Sequence, residues 1–306
     1  MSISGLFDIS KNLSTTEMYS AVHGLHSVGD DHPLDDTNLL LKDKIALCSS
    51  DTPSGNNSSL AEVHHLLVAF QGALYNEKAL REKLSVEGYR FSKSNTAEVI
   101  GTGFLEYGVE LFNQLTGKFS IAICDTRSNT LIIARDRVGE EPLFYTQTHG
   151  LFLFSTSLKS LLSSGSVDKK ISVDALSQYL QLTYIPAPLS IIENVYKLLP
   201  GHYLAVDSEG TASVTQYWNV SYAKDSLIPD YDACKTQLRE AVFHSVEEMI
   251  GESHSYGTFL SGGIDSTIIT GIASQLSDSP IDTFTIGYRD RQYDESDHAK
   301  IASAFH

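Results

Sequence analysis

Ser261-Gly262-Gly263-Ile264-Asp265-Ser266 separates a short apolar run at residues 256–260 from a helical pattern at residues 266–276. A second apolar run follows at residues 281–287. Strand, glycine turn, helix and strand make a βαβ unit, the start of a doubly wound parallel sheet. Adjacent glycines remove Cβ atoms, so backbone N–H groups can approach a ligand closely. The helix that follows directs its positive dipole end at the same place, which suits a pyrophosphate. Ser261 and Ser266 add hydroxyl donors. Asp265 would repel a phosphate by itself, but serves if Mg²⁺ lies between the two charges. A Gly-Gly pair alone could do no more than turn the chain. Agreement of strand, serines, glycines, aspartate and helix points instead to a nucleotide loop.

Upstream of the loop, Leu238, Ala241, Val242, Ser245, Val246, Met249 and Ile250 recur at helical spacing, one face of an amphipathic helix. Residues 221–231 read as a linker, containing Ser226, Pro229 and several charges. Before the linker the pattern is richer in strands. Residues 119–124 and 131–134 are β-rich runs joined by the hairpin signal Asp125-Thr126-Arg127-Ser128-Asn129, and residues 151–154 form a third run. Residues 77–84 read as a helix with Asn76 as its N-cap. The expected organisation is α/β, with one domain at 1–220 and a second at 221–306.

The bulk properties narrow the function. The chain has 306 residues and a net charge of −16, which disfavours a phosphate backbone and so nucleic acid as the main partner. No run approaches the roughly 20 apolar residues that span a bilayer, and no secretory signal is read at the N-terminus. Cys48, Cys124 and Cys234 are scattered and odd in number, so neither a metal site nor a closed disulfide framework is expected. A reduced, cytoplasmic setting without membrane attachment follows as the expectation.

Several further segments fix a family. Thr283-Phe284-Thr285-Ile286-Gly287-Tyr288 and Tyr293-Asp294-Glu295-Ser296 follow the loop. Tyr184-Ile185-Pro186-Ala187-Pro188, Lys197-Leu198-Leu199-Pro200-Gly201-His202, Gly117-Lys118-Phe119-Ser120 and Ala134-Arg135-Asp136-Arg137-Val138-Gly139 precede it. Together these resemble the glutamine-dependent asparagine synthetases over nearly the whole chain, and the loop resembles that of the PP-loop ATP pyrophosphatases. The resemblance implies an N-terminal Ntn-type αββα sandwich, a class II glutamine amidotransferase domain, followed by the beginning of an ATP-binding domain. It implies ATP and Mg²⁺ as ligands, with Leu260, Ser261, Gly262, Gly263, Asp265, Ser266 and Ile286 around the nucleotide and Asp265 on the metal. The carboxylate substrate would be aspartate or another carboxylate, activated as an acyl-adenylate for attack by an amine or ammonia. The family's remaining acid and basic residues lie beyond His306, so a C-terminal partner chain is expected to complete the site. A homodimer is also open.

The same resemblance exposes departures in the first domain. The family's terminal Cys-Gly-Ile-Phe, whose thiol is the nucleophile, corresponds to Ser4-Gly5-Leu6-Phe7. A serine hydroxyl is nearly fully protonated at neutral pH, unlike a thiol. The Arg-Gly-Pro-Asp stretch corresponds to Ser27-Val28-Gly29-Asp30, the oxyanion-hole Asn-Gly-Glu to Gln71-Gly72-Ala73, and an Arg-rich strand to Lys42-Asp43-Lys44. Loss of glutaminase activity is the expectation. Ser2, exposed as a terminal serine if Met1 is removed, is the rival nucleophile, displaced two residues from Ser4. Relatives with degenerate first domains include β-lactam synthetases and lasso-peptide cyclases, which use an internal amine. A non-catalytic subunit or relic is the alternative of another class.

Other residues invite less. His64-His65 reads as adjacent strand positions pointing to opposite faces, not as a metal site. His23 and His26 read as structural or exposed, Cys124 as core, and Arg135-Asp136-Arg137 as an ion pair fixing a strand end.

Overall fold

The computed structural model describes residues 2–10, 12–26, 38–49, 59–91, 95–222, 230–251, 256–290, 292 and 294–305. Residues 27–30, most of the linker and Tyr293 lie outside that set. The chain divides into two compact units, Met1–Val220 and Ser221–His306.

The first unit holds two six-stranded antiparallel sheets. One contains β1 (Ile3–Asp8), β2 (Leu39–Lys42), β3 (Ile45–Ser49), β8 (Phe144–Thr148), β9 (Leu151–Ser155) and β10 (Tyr196–Lys197), in the order β10-β8-β9-β1-β3-β2. The other contains β4 (Leu60–Val63), β5 (Leu66–Leu74), β6 (Gly117–Asp125), β7 (Thr130–Arg135), β11 (His202–Val206) and β12 (Ala212–Gln216), in the order β12-β11-β7-β6-β5-β4. Alternation along the strands decides the layering. Ile3 and Phe7 of β1 meet Leu67, Ala69, Ala122 and Ile133 in a core between the sheets. Leu6, Ala46 and Leu153 face the other way, against Met18, Val22 and Leu25 of α1 (Thr15–His26) and Leu161 of α5 (Leu158–Ser163). Leu66, Val68 and Ile121 carry α2 (Glu77–Val86) and α3 (Thr96–Tyr107) on the far side of the second sheet. Helix, sheet, sheet and helix layers result. Gly5 is required by this packing, since a Cβ there would lie 2.4 Å from the Phe154 ring and 2.8 Å from Leu47.

The hairpin expected around residues 125–129 joins β6 to β7, and the run at 151–154 is β9. Other local readings are corrected. Asn76 stands at the N-cap position of α2 but makes no capping bond; its side chain accepts from Thr116 N at 3.0 Å and donates to Gln114 O at 2.7 Å. His64-His65 is not in a strand: it is the turn between β4 and β5, with His64 at φ 55°. His23 is exposed and His26 buried on α1. Arg135 and Asp136 each anchor backbone rather than one another. The Arg135 guanidinium donates to the carbonyls of Gly139, Glu141 and Leu198. The buried Asp136 carboxylate accepts from the N–H groups of Phe119, Val138, Gly139, Glu140 and Glu141.

The second unit contains α7 (Tyr231–Ile250), β13 (Gly257–Phe259), α8 (Ile264–Leu276), β14 (Asp282–Phe284) and α9 (Ser296–Phe305). Asp230 caps α7 by accepting from Ala233 N at 2.9 Å. β13 and β14 pair in parallel, Gly257 opposite Asp282 and Phe259 opposite Phe284. The βαβ unit is therefore present, with strands shorter than the sequence suggested. α8 also begins earlier than expected, at Ile264, so Asp265 stands in its first turn. The apolar face of α7 is covered little: Val246 is its one buried residue, whereas Leu238 and Met249 are exposed.

Candidate functional site

The loop between β13 and α8 is organised by its two serines. Ser261 Oγ lies 3.0 Å from Ser266 Oγ and accepts from Gly263 N at 3.2 Å. Ser266 Oγ accepts from Ser261 N at 3.3 Å and donates to Gly263 O at 3.2 Å. Gly263 is the N-cap of α8, so the loop runs directly onto the positive end of a 13-residue helix.

The two glycines do different work. Gly262 has φ +86°, and a Cβ there would come within 2.5 Å of His298 Cβ and 2.7 Å of Ala299 N, on α9. Backbone conformation and helix packing both demand glycine at 262. At Gly263 a Cβ would meet only Ser261 Oγ, at 3.3 Å.

Beside the loop is a cavity of about 440 Å³. Leu260, Ser261, Ser266 and Ile286 line it, four of the residues singled out from the sequence. Phe259, Phe284, Thr285, Tyr288 and Glu295 complete the wall and were not singled out. Phe259 and Phe284 could have been found from their register as paired positions of parallel strands, where their rings lie 6.2 Å apart. Glu295 stands in the stretch Tyr293-Asp294-Glu295-Ser296, which carried a resemblance but did not by itself place the side chain at the cavity. Gly262, Gly263 and Asp265 adjoin this wall through the loop and the first helical turn. Thr285 Oγ1 donates to Leu260 O at 2.7 Å, tying the two strand ends at the cavity mouth.

For a divalent cation, the carboxylates at hand are Asp265 in the first turn of α8 and Glu295 on the cavity wall, both exposed. Among the described residues no group of three or more His, Cys, Asp or Glu could hold a metal ion. One or two carboxylates suit Mg²⁺, which keeps several waters and takes its other ligands from phosphates.

In the first unit, Ser4 is 2% exposed and its hydroxyl lies 2.7 Å from that of Ser155. Ser155 Oγ also accepts from Ser157 N at 3.0 Å. Ser4 is thus an interior strand residue, paired with Cys48 on one side and Ser155 on the other. Gln71 is engaged at both ends of its amide. Its Oε1 accepts from Thr156 Oγ1 at 2.5 Å and Ile3 N at 3.3 Å, and its Nε2 donates to Glu141 at 2.8 Å. Thr156, Ser155 and Glu141 escaped the sequence reading because they come from distant strands and loops. Lys42 ends β2 and pairs with Glu62 at 2.8 Å, while Asp43 and Lys44 form the turn into β3.

Comparison with known proteins agrees with this architecture. The glutamine amidotransferase domain model matches residues 2–218, and the asparagine synthase model matches residues 237–306. The glutamine-hydrolyzing asparagine synthetase 1 of Bacillus subtilis is 29% identical over 254 residues, covering 83% of this chain and 40% of that protein. The glutamine-hydrolyzing asparagine synthetase 3 of the same organism is 30% identical over 243 residues, covering 78% of this chain and 38% of its own length. Among solved structures, the glutamine phosphoribosylpyrophosphate amidotransferase from B. subtilis, complexed with ADP and GMP, covers 96% of this chain and 68% of that one. Its TM-score is 0.49 at 16% identity. The family-model match over residues 2–218 identifies the larger unit as a glutamine amidotransferase domain. The chain belongs to the asparagine synthetase family, spanning about two-fifths of the length of these curated relatives.

Proposed function

We propose that this chain serves ATP-dependent amide formation on a carboxylate of the aspartate class, with nitrogen that its own first domain does not release from glutamine. The observation that carries this reading is the cavity beside the 261–266 loop, bounded by Leu260, Ser261, Ser266 and Ile286. Its apolar walls fit a flat base, and the loop at its edge fits phosphates. The N–H groups of Ser261 and Gly263, each bonded here to a serine hydroxyl, turn to phosphate oxygens when the nucleotide enters. The α8 dipole favours the negative charge that develops on the leaving pyrophosphate. Asp265 would hold Mg²⁺, which when bound supplies the positive charge that offsets the phosphates. The acid and basic groups that finish such a reaction come from sequence equivalent to the remaining length of the relatives, on the same polypeptide or on a partner.

A ring-closing ligase, whose substrate carries its own amine, is the second reading. The buried Ser4–Ser155 pair favours it, because such an enzyme needs no ammonia source. The nucleotide assignment is tested by photolabelling with an ATP analogue reactive at the base, in the presence of Mg²⁺. Label on peptides containing residues 257–261 or 284–288, removed by excess ATP, is expected. Saturable labelling confined to other peptides would refute it.

A further inference from the structure

A second cavity, of about 520 Å³, lies in the first unit, away from the Ser4 and Gln71 neighbourhood and beside the β8–β10 edge of the first sheet. Its wall is aromatic. Tyr145 stacks on Phe152 at 5.9 Å, and Tyr196 follows at 5.8 Å from Tyr145. Tyr196 is 38% exposed, so its ring is open to whatever enters. Two carboxylates, Asp168 and Glu193, also line the cavity, and no Lys or Arg does. Just outside, Lys170 Nζ holds Glu193 at 2.6 Å with its side chain 73% exposed. The lining itself is therefore acidic, while outside it Lys170 also attracts Asp168 and the exposed Lys169 follows Asp168 in the chain. Aromatic rings beside carboxylates attract an organic cation, through the ring quadrupole and through Coulomb attraction. They disfavour an anion, as does the chain's charge of −16.

We propose that this cavity binds a primary ammonium group, with Tyr196 as its aromatic contact and Asp168 as its counter-charge. Lys170 acts as an internal competitor, satisfying Glu193 until the ligand arrives. The ammonium is that of a free amine or of a lysine side chain, and the probes separate these sources.

Benzylamine, neutral benzyl alcohol and a lysine-containing tripeptide would be titrated into the full chain, followed by chemical shifts of the tyrosine ring protons. Benzylamine is expected to saturate and benzyl alcohol not. Tripeptide binding tighter than benzylamine would identify a protein side chain as the source; weaker binding would identify a free amine. Tyr196→Leu and Asp168→Asn should each weaken benzylamine by about two- to five-fold, the range of one exposed cation–π contact or ion pair. Lys170→Gln should strengthen it by a similar factor, because Glu193 is released. That gain separates binding from a merely structural role, since a surface lysine can be removed without unfolding the chain. Equal binding of benzyl alcohol, no saturation by either amine, or an unchanged affinity in Lys170→Gln would overturn the proposal.

Discussion

The hydroxyls of Ser4 and Ser155 lie 2.7 Å apart on the helix-covered face of the first sheet. This pair puts the position that answers to the family's nucleophile inside β1, hydrogen-bonded between two strands, rather than at a free amine. Hydroxyl attack would need a base and an open approach, and Ser4 has neighbouring strands on both sides. Glutamine should therefore release no glutamate with the wild-type chain, and Ser4→Cys should not restore release. A coupled glutamate assay checks this. Turnover that disappeared in Ser2→Ala or Ser4→Ala would contradict it.

The glycines of the nucleotide loop should separate on substitution. Gly262→Val should disrupt the loop and its contact with α9 even without ligand, because φ +86° and the 2.5 Å approach of His298 leave no room. A rise in amide exchange across residues 296–305 would report it. Gly263→Ala should keep the fold, since Ser261 Oγ needs to move only slightly. A loss of nucleotide binding in Gly263→Ala with unchanged exchange would place the phosphates at the loop.

Asp136 accepts five backbone N–H groups while fully buried. Asp136→Ala should cost on the order of 3 kcal/mol, because each orphaned donor bears a desolvation penalty. Urea unfolding of the 1–220 unit would measure it. A loss under about 1 kcal/mol would mean water replaces the carboxylate.

The cysteines should differ in reactivity. Burial pushes the Cys48 thiol up to about 12 from its ordinary 9.0, and burial raises Cys124 as well. Cys234 is exposed. Iodoacetamide at pH 8 should modify only Cys234 in the native chain, as mass spectrometry would show. The two buried thiols stay protonated when folded but ionise when unfolded above pH 9. Their contribution to stability is therefore complete below pH 9 and falls as pH rises from 9 toward 12.

Much of this fold is written locally. β-Branched runs such as Ile121-Ala122-Ile123 and Leu131-Ile132-Ile133 read as paired strands because alternating faces are both buried, one between sheets and one under helices. The βαβ unit read correctly because its glycine turn and helix are contiguous. What escaped depends on distant partners. Asn76 looked like a cap but is consumed by Gln114 and Thr116, some forty residues away. Asn95 caps α3 by accepting from Ala97 N and Glu98 N, beside a stretch with little periodic signal. The aligned apolar face of α7 promised a buried stripe, yet burial depends on what covers it, and spacing does not specify that. The Ser261–Ser266 bond lies within reach of sequence reasoning, whereas the Glu295 segment was legible as a motif but not as part of the cavity wall.

The proposed nucleotide site, residues 260–266 with Ile286, depends on magnesium. The most direct measurement is isothermal calorimetry of ATP with the full chain, with and without Mg²⁺, in wild type and Asp265→Asn. Binding is expected in wild type with Mg²⁺, and Asp265→Asn should weaken it by about ten-fold in Mg²⁺ while changing little in EDTA, because only the metal bridge needs the carboxylate charge. Equal loss with and without Mg²⁺, or full binding in the variant, would contradict the account.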